Sequence, residues 1–258
     1  MKPPPRHEHR RRRTTRSSAR AAAILVLAAA PAVFAAPQPD PAALDAVLAA
    51  RSRNGGFDYR GADGQDRKRL AAYLRNLGDA NPASMEVEER KAFWIDAYNA
   101  AAIQTVLEKY PVKSIRDVDG AFKAVRRRLG GEMLSLDDVE NRLRDMKDAR
   151  VHFAIVCAAK SCPPLRARAY AAAGLSAALD GQARAFLADP ARNVLDRARG
   201  RLALSKIFDW NRKEFERDGG SIAKYASRYA PDPVLASWLA GFPKEPEFLD
   251  YDWALNQP

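Results

Sequence analysis

Cysteine and histidine are the scarce residues of this chain. Its 258 residues contain two cysteines, Cys157 and Cys162, and three histidines, His7, His9 and His152. Beyond the first ten residues, every soft nucleophile and neutral-pH base therefore lies in the stretch from His152 to Cys162. Two thiols and one imidazole without closely paired ligand spacing make a poor zinc site, so no metal is expected. Cys157 and Cys162 are separated by four residues, which is not the C-x-x-C spacing of the usual thiol-redox motif. Long apolar runs are missing as well. The one candidate, Ala21 to Ala30, falls well short of the ~20 residues that a membrane span needs. Nothing in the pattern calls for a cofactor.

The net charge of +11 would suit a nucleic-acid binder if it were spread along the chain. It is not. Residues 1–36 hold Lys2 and seven arginines against the single acid Glu8, a net +7 that leaves only +4 for the remainder. No basic stripe with interleaved aromatics is left, which argues against nucleic acid as a partner. The basic block, the apolar run with Ile24, Leu25, Val26 and Leu27, and the small residues after Pro31 together read as a secretory signal peptide. Cleavage is expected near Ala35 or Ala36, giving a periplasmic or secreted protein with no stable membrane span once the leader is removed. A retained N-terminal anchor is the alternative. The length of the rest suits one domain, and 47% apolar residues are enough for a core. An oxidising compartment and an even cysteine count invite a disulfide.

The periodicity predicts helices over 41–50, 66–77 and 86–110, the last closed by Pro111. Gly55 to Tyr59 reads as a turn and short strand. Ser135 to Asp138 resembles a capping box and opens a short helix to about Asp145. Val151 to Cys157 is apolar and β-branched at nearly every position, as expected of a strand buried on both faces. Helices follow over 176–188, from Ser205 through Phe215 to Gly219, and over 222–229 and 234–240. A hairpin turns at Arg197 to Gly200, and Glu247 to Trp253 reads as a final strand. The class is α+β, a helix-rich single domain around a small sheet.

Asn99 shares a helical face with Ile95, Ile103 and Val106, so it should be buried. It either bonds the backbone of an adjacent loop or lines a pocket. Glu140, on the short helix, leads into the segment that carries His152. In an extended strand His152 and Cys157 would lie ~16 Å apart on opposite faces, which forbids a direct nucleophile–base pair. Cys162, after a turn, could swing back towards His152. Three readings of the cysteines stay open: a Cys157–Cys162 disulfide stapling the turn, one thiolate nucleophile with its pKa lowered by loop N–H groups and Lys160, or two small buried hydrophobes.

Five elements carry a resemblance to a known family. They are Ala92 to Ala100, Leu134 to Asn141, Arg150 to Cys157, Ser161-Cys162-Pro163-Pro164-Leu165 and Tyr251 to Asn256. In this order they resemble the domain-of-unknown-function 547 family, whose members are bacterial exported proteins and the C-terminal parts of some plant proteins. The resemblance implies a family domain over 85–256, with 37–84 as a linker and helical extension packed on it. It also implies a loose outline similar to papain-like or transglutaminase-like cysteine hydrolases. Many members have Glu-His where this chain has Glu140-Asn141, and the family points to Cys157 as the chemical thiol. Strand geometry points to Cys162.

Two functions are weighed. The first is a hydrolase of amide or thioester bonds, with Cys157 as nucleophile (Cys162 second), His152 as base and Glu140 or Asn99 as the orienting group. The second is a non-catalytic envelope module with a structural Cys157–Cys162 disulfide. Its small-molecule or peptide ligand would lie along Trp94, Tyr98, Trp210, Tyr251 and Trp253, with Asn99 lining the same pocket.

Overall fold

In the computed structural model, which describes residues 1, 2 and 39–258, polar caps decide where the helices begin. The expected leader and its cleavage site lie outside the described residues, apart from Met1 and Lys2. The chain divides into two units, Met1–Phe34 and Ala35–Pro258, and the second holds every element described. Helix α1 (Ala42–Arg51) runs into a hairpin of β1 (Ser52–Arg53) and β2 (Gly56–Phe57). Asp63 then caps α2 (Gly64–Asp79) in a reciprocal capping box with Asp66. Helix α3 (Val87–Lys109) is buried along most of its length and ends where Pro111 cannot continue it. A hairpin of β3 (Arg127–Leu129) and β4 (Glu132–Leu134) leads to Ser135, whose capping box with Asp138 opens α4 (Leu136–Asp145) as its sequence predicts.

After the cysteine segment come α5 (Leu175–Ala188) and the antiparallel pair β5 (Val194–Asp196) and β6 (Arg201–Leu204). The single helix expected from Ser205 to Gly219 is two, α6 (Lys206–Trp210) and α7 (Arg212–Gly219). The break falls at Asn211, whose backbone leaves the helical region and whose side-chain amide donates to Ile207 O at 3.0 Å. Helices α8 (Ile222–Ser227) and α9 (Pro233–Ala240) follow. The expected final strand shrinks to β7 (Glu247–Phe248), parallel to β6, and the residues beyond it serve another purpose. Nine helices and small sheets among the described residues make this a helix-rich α+β domain. No helix among them is long and apolar enough to cross a membrane.

The buried strand expected over Val151 to Cys157 is absent. Asp148 accepts the Arg150 N–H and starts a 3-10 turn over Ala149–Phe153, after which the chain runs irregularly to Cys157. The apolar residues are buried as the pattern demands, but by two cores rather than by a sheet. Ala149 and Phe153 belong to a core built on Phe186, Phe208, Phe215 and Tyr225. Val151, Ala154, Ile155 and Val156 belong to the core around α3. The backbone polar groups that a sheet partner would satisfy are met by Asn99 from α3. Its Nδ2 donates to Ala154 O at 3.0 Å and its Oδ1 accepts the Val156 N–H at 2.8 Å. Asn99 is thus the loop-bonding core amide of the two readings.

Asn99→Ala leaves a buried C=O and a buried N–H without partners, each costing about 1–3 kcal/mol. The variant is expected to lose about 3 kcal/mol of stability in urea titration. A loss under ~0.5 kcal/mol would show that the clamp is dispensable.

Candidate functional site

The cysteine loop is held from three sides. Segment 252–256 runs beside it: Lys160 N–H donates to Ala254 O at 2.8 Å, Ser161 N–H to Asp252 O at 3.2 Å and Asn256 N–H to Ala158 O at 2.9 Å. Arg192 donates through Nε to Cys162 O at 2.7 Å and through Nη2 to Lys160 O at 2.9 Å. From the first hairpin, Gly55 O accepts the Leu165 N–H, and Phe57 N–H donates to Asn256 O. Gly56 must be glycine here, because a Cβ would sit 1.8 Å from Asn256 O. Within the loop Ala158 adopts φ 66°, a left-handed conformation costly for a residue with a Cβ. Strain over-determined by surrounding bonds recurs at functional sites.

The turn brings the two thiols together as free side chains. Cys162 Sγ accepts the Cys157 N–H at 3.0 Å and the Tyr251 hydroxyl at 3.2 Å. Tyr251 Oη also lies 3.3 Å from Cys157 Sγ. Burial opposes ionisation of Cys162, but hydrogen bonds from the Cys157 thiol, the Tyr251 hydroxyl and the Ala159 and Cys157 backbone bring its pKa below the ordinary thiol value. Cys157 moves the other way, because its hydrogen bond to Cys162 and its burial both hold the proton on. Burial, reinforced by the neighbouring thiols, pushes Tyr251 far up, so its hydroxyl remains a donor. The pair therefore holds its first negative charge on Cys162, with Cys157 protonated beside it and more exposed to solvent.

His152 sits on the same cleft, 3% exposed, with its ring edge against Phe215. Its Nε2 lies 2.7 Å from Glu214 Oε2 on α7. Burial raises the pKa of Glu214, but the hydrogen bond from His152, the charge that ring carries when protonated, and Arg144 behind bring it below the usual carboxylate value. An ionised Glu214 fixes the ring proton on Nε2 and leaves Nδ1 free to accept. Nδ1 lies 4.0 Å from Glu140 Oε1, which is itself bound by Arg144 Nη2 at 2.6 Å. Arg144 also donates to Glu214 at 2.8 Å and to Asn211 at 2.5 Å, so one guanidinium ties α4 to the break between α6 and α7.

Both thiols, His152, Glu140 and Asn211 line one cleft of about 320 Å³, with Glu214 and Arg144 behind its wall. Tyr98 from α3 and Asp137 and Glu140 from α4 contribute to its walls, with Trp210, Tyr251 and Trp253 as an aromatic side. The rings of those three lie 4.8–5.9 Å apart, and Trp210 is 48% exposed. Of the residues singled out in the sequence, Cys157, Cys162, His152, Glu140, Tyr98, Trp210, Tyr251 and Trp253 meet here. Trp94 does not: it is buried between Phe93 and the Arg142 guanidinium. Asn99 acts on the cleft only through the loop it holds. Asn141 is exposed and does not line the cleft, so the departure from Glu-His at this position removes no group from it. The 16 Å separation on opposite faces falls with the strand, since His152 and both thiols share a wall-to-wall cavity. Glu214 and Arg144 were not singled out. A glutamate 62 residues from its histidine carries no local signal.

Residues 82–187 match the family model described as "Protein of unknown function, DUF547". No curated protein matches the chain, and no solved structure does. The matched stretch contains both thiols, His152, Glu140 and Tyr98, whereas Glu214 and the aromatic side lie beyond it.

Tyr251→Phe removes one donor from the Cys162 thiolate, so the first thiol ionisation should move to higher pH. Thiolate absorbance near 240 nm, followed against pH, checks this. An unchanged titration would mean that the hydroxyl does not hold the charge.

Proposed function

From the geometry of the cleft we propose that this chain, whose residues 82–187 match the DUF547 family model, is a cysteine-dependent hydrolase of amide or thioester bonds. The observation that carries this reading is the thiol pair. Two free thiols, one of which accepts the other's backbone N–H and the Tyr251 hydroxyl, line a cleft that also holds a carboxylate-oriented imidazole. Nucleophilic cysteine chemistry needs a base in reach of the attacking sulfur. Here that base is Cys162 rather than His152. Cys157 passes its proton to the Cys162 thiolate, and its sulfur attacks the substrate carbonyl carbon, forming a C–S bond. The tetrahedral centre collapses, the bond to the amine or thiol leaving group breaks, and the leaving group takes the proton from Cys162. The resulting thioester is hydrolysed by water whose proton goes to Nδ1 of His152, the nitrogen left free by Glu214. His152 returns that proton to the Cys157 sulfur as it departs from the acid product.

The leader read at 1–36 supports placing this activity outside the cytoplasm. The aromatic side of the cleft supports a substrate with an apolar or planar group, because indole and phenol faces favour such contacts.

Turnover of S-phenyl thioacetate, with iodoacetamide labelling in parallel, tests the proposal. Cys157→Ser should abolish turnover, and a stoichiometric acetyl adduct should appear on Cys157 before steady state. His152→Ala should slow steady-state turnover by ~10²-fold or more while leaving that adduct to accumulate. Ordinary alkylation rates at both thiols, with no acetyl adduct, would leave only the ligand-binding module.

A further inference from the structure

Tyr98 carries a hydroxyl on the cleft that the reaction above does not use. It lies on α3, is 2% exposed, and lines the cavity. Its hydroxyl takes part in none of the side-chain hydrogen bonds found among the described residues, yet it is not one of the sealed-off polar atoms left without a partner there, so it is open to the cavity that the residue lines. Its neighbour in chemistry, Tyr251, shows the contrast by contacting both sulfurs. An unused donor aimed into a cavity is poised for something that enters it.

The surroundings say which proton state it holds. Burial first, then the nearby charges of Glu140, Cys157, Cys162 and Asp137, push its pKa far above that of free tyrosine. At any working pH it is a neutral O–H. It therefore sits close enough to both the thiol pair and the α4 carboxylates to feel their charge, yet it is bonded to neither. Glu140, the carboxylate whose charge acts most on Tyr98, is itself bound by Arg144.

Resting on the hydrolase reading, we propose that the Tyr98 hydroxyl is a catalytic hydrogen-bond donor that receives the substrate carbonyl oxygen as Cys157 attacks. When the C–S bond forms, the carbonyl π pair moves onto oxygen. Tyr98 donates its O–H to that oxygen without transferring the proton, and the bond is released when the C=O re-forms. Such donors act where charge develops, and removing one commonly costs ~10²–10³ in rate.

Tyr98→Phe separates the two kinds of role. Its thermal midpoint should equal or exceed that of the parent chain, because no internal hydrogen bond is lost. Alkylation of Cys157 by iodoacetamide, which builds no oxyanion, should proceed within about twofold of the parent rate. Acetyl transfer from S-phenyl thioacetate to Cys157, measured in a single turnover, should fall ~10²-fold. An acetylation rate equal to the parent's overturns the role of Tyr98 and leaves the hydrolase reading standing. A parallel fall in alkylation and acetylation overturns it too, by showing that the hydroxyl only shapes the thiol pair. A parent chain that alkylates but never acetylates removes both proposals.

Discussion

The buried amide of Asn99 is the constraint on which the site depends. It offers one donor and one acceptor to the backbone at Ala154 and Val156, doing for an irregular segment what a neighbouring strand does in a sheet. Without that substitute, a run this apolar would bury unpaired backbone groups in the core around α3. With it, the chain can leave the 3-10 turn at Phe153, cross from one core to the other, and still reach Cys157 with its polar groups satisfied. The crossing is what opens a cleft between His152 and the thiols.

The electrostatics of the cleft divide along the same line. On the loop side, hydrogen bonds from Cys157, Tyr251 and backbone N–H groups offset the burial of Cys162 and bring its pKa below the ordinary thiol value. On the α4 and α7 side, Arg144 binds Glu140 and Glu214 together, and Glu214 orients the imidazole. The two devices meet only across the cavity. This arrangement suits a sequence of steps in which one side forms the covalent bond and the other breaks it, rather than a single nucleophile–base dyad.

What the sequence could reveal follows from the range of each interaction. Ser135 with Asp138 is a local signature, and the helix it announces begins where expected. The burial of Val151 to Val156 was equally legible, since apolar side chains report burial whatever the backbone does. The backbone itself was not, because a β-branched run reads as a strand unless a distant amide supplies the hydrogen bonds. Asn99 lies 55 and 57 residues from its partners, and its face among isoleucines announced burial but not the partner. Glu214 is more hidden still: it sits on an otherwise charged helix, and only the break at Asn211 turns it towards His152.

The missing histidine at Asn141 takes on a different meaning in this light. An exposed position on α4 could not have placed an imidazole against the thiols without turning the helix. In the proposed reaction the base at the attacking sulfur is the other sulfur, brought round because the loop bends through Ala158 and is pinned there by Asn256. A thiolate held by three kinds of donor is a weaker nucleophile than a free one, and a buried one is harder to reach. Passing the charge to the more exposed Cys157 at the moment of attack relieves both handicaps at once. The scarcity of cysteine and histidine in the chain is thus no obstacle to the proposed reaction, because the fold brings Cys157, Cys162 and His152 to one cavity.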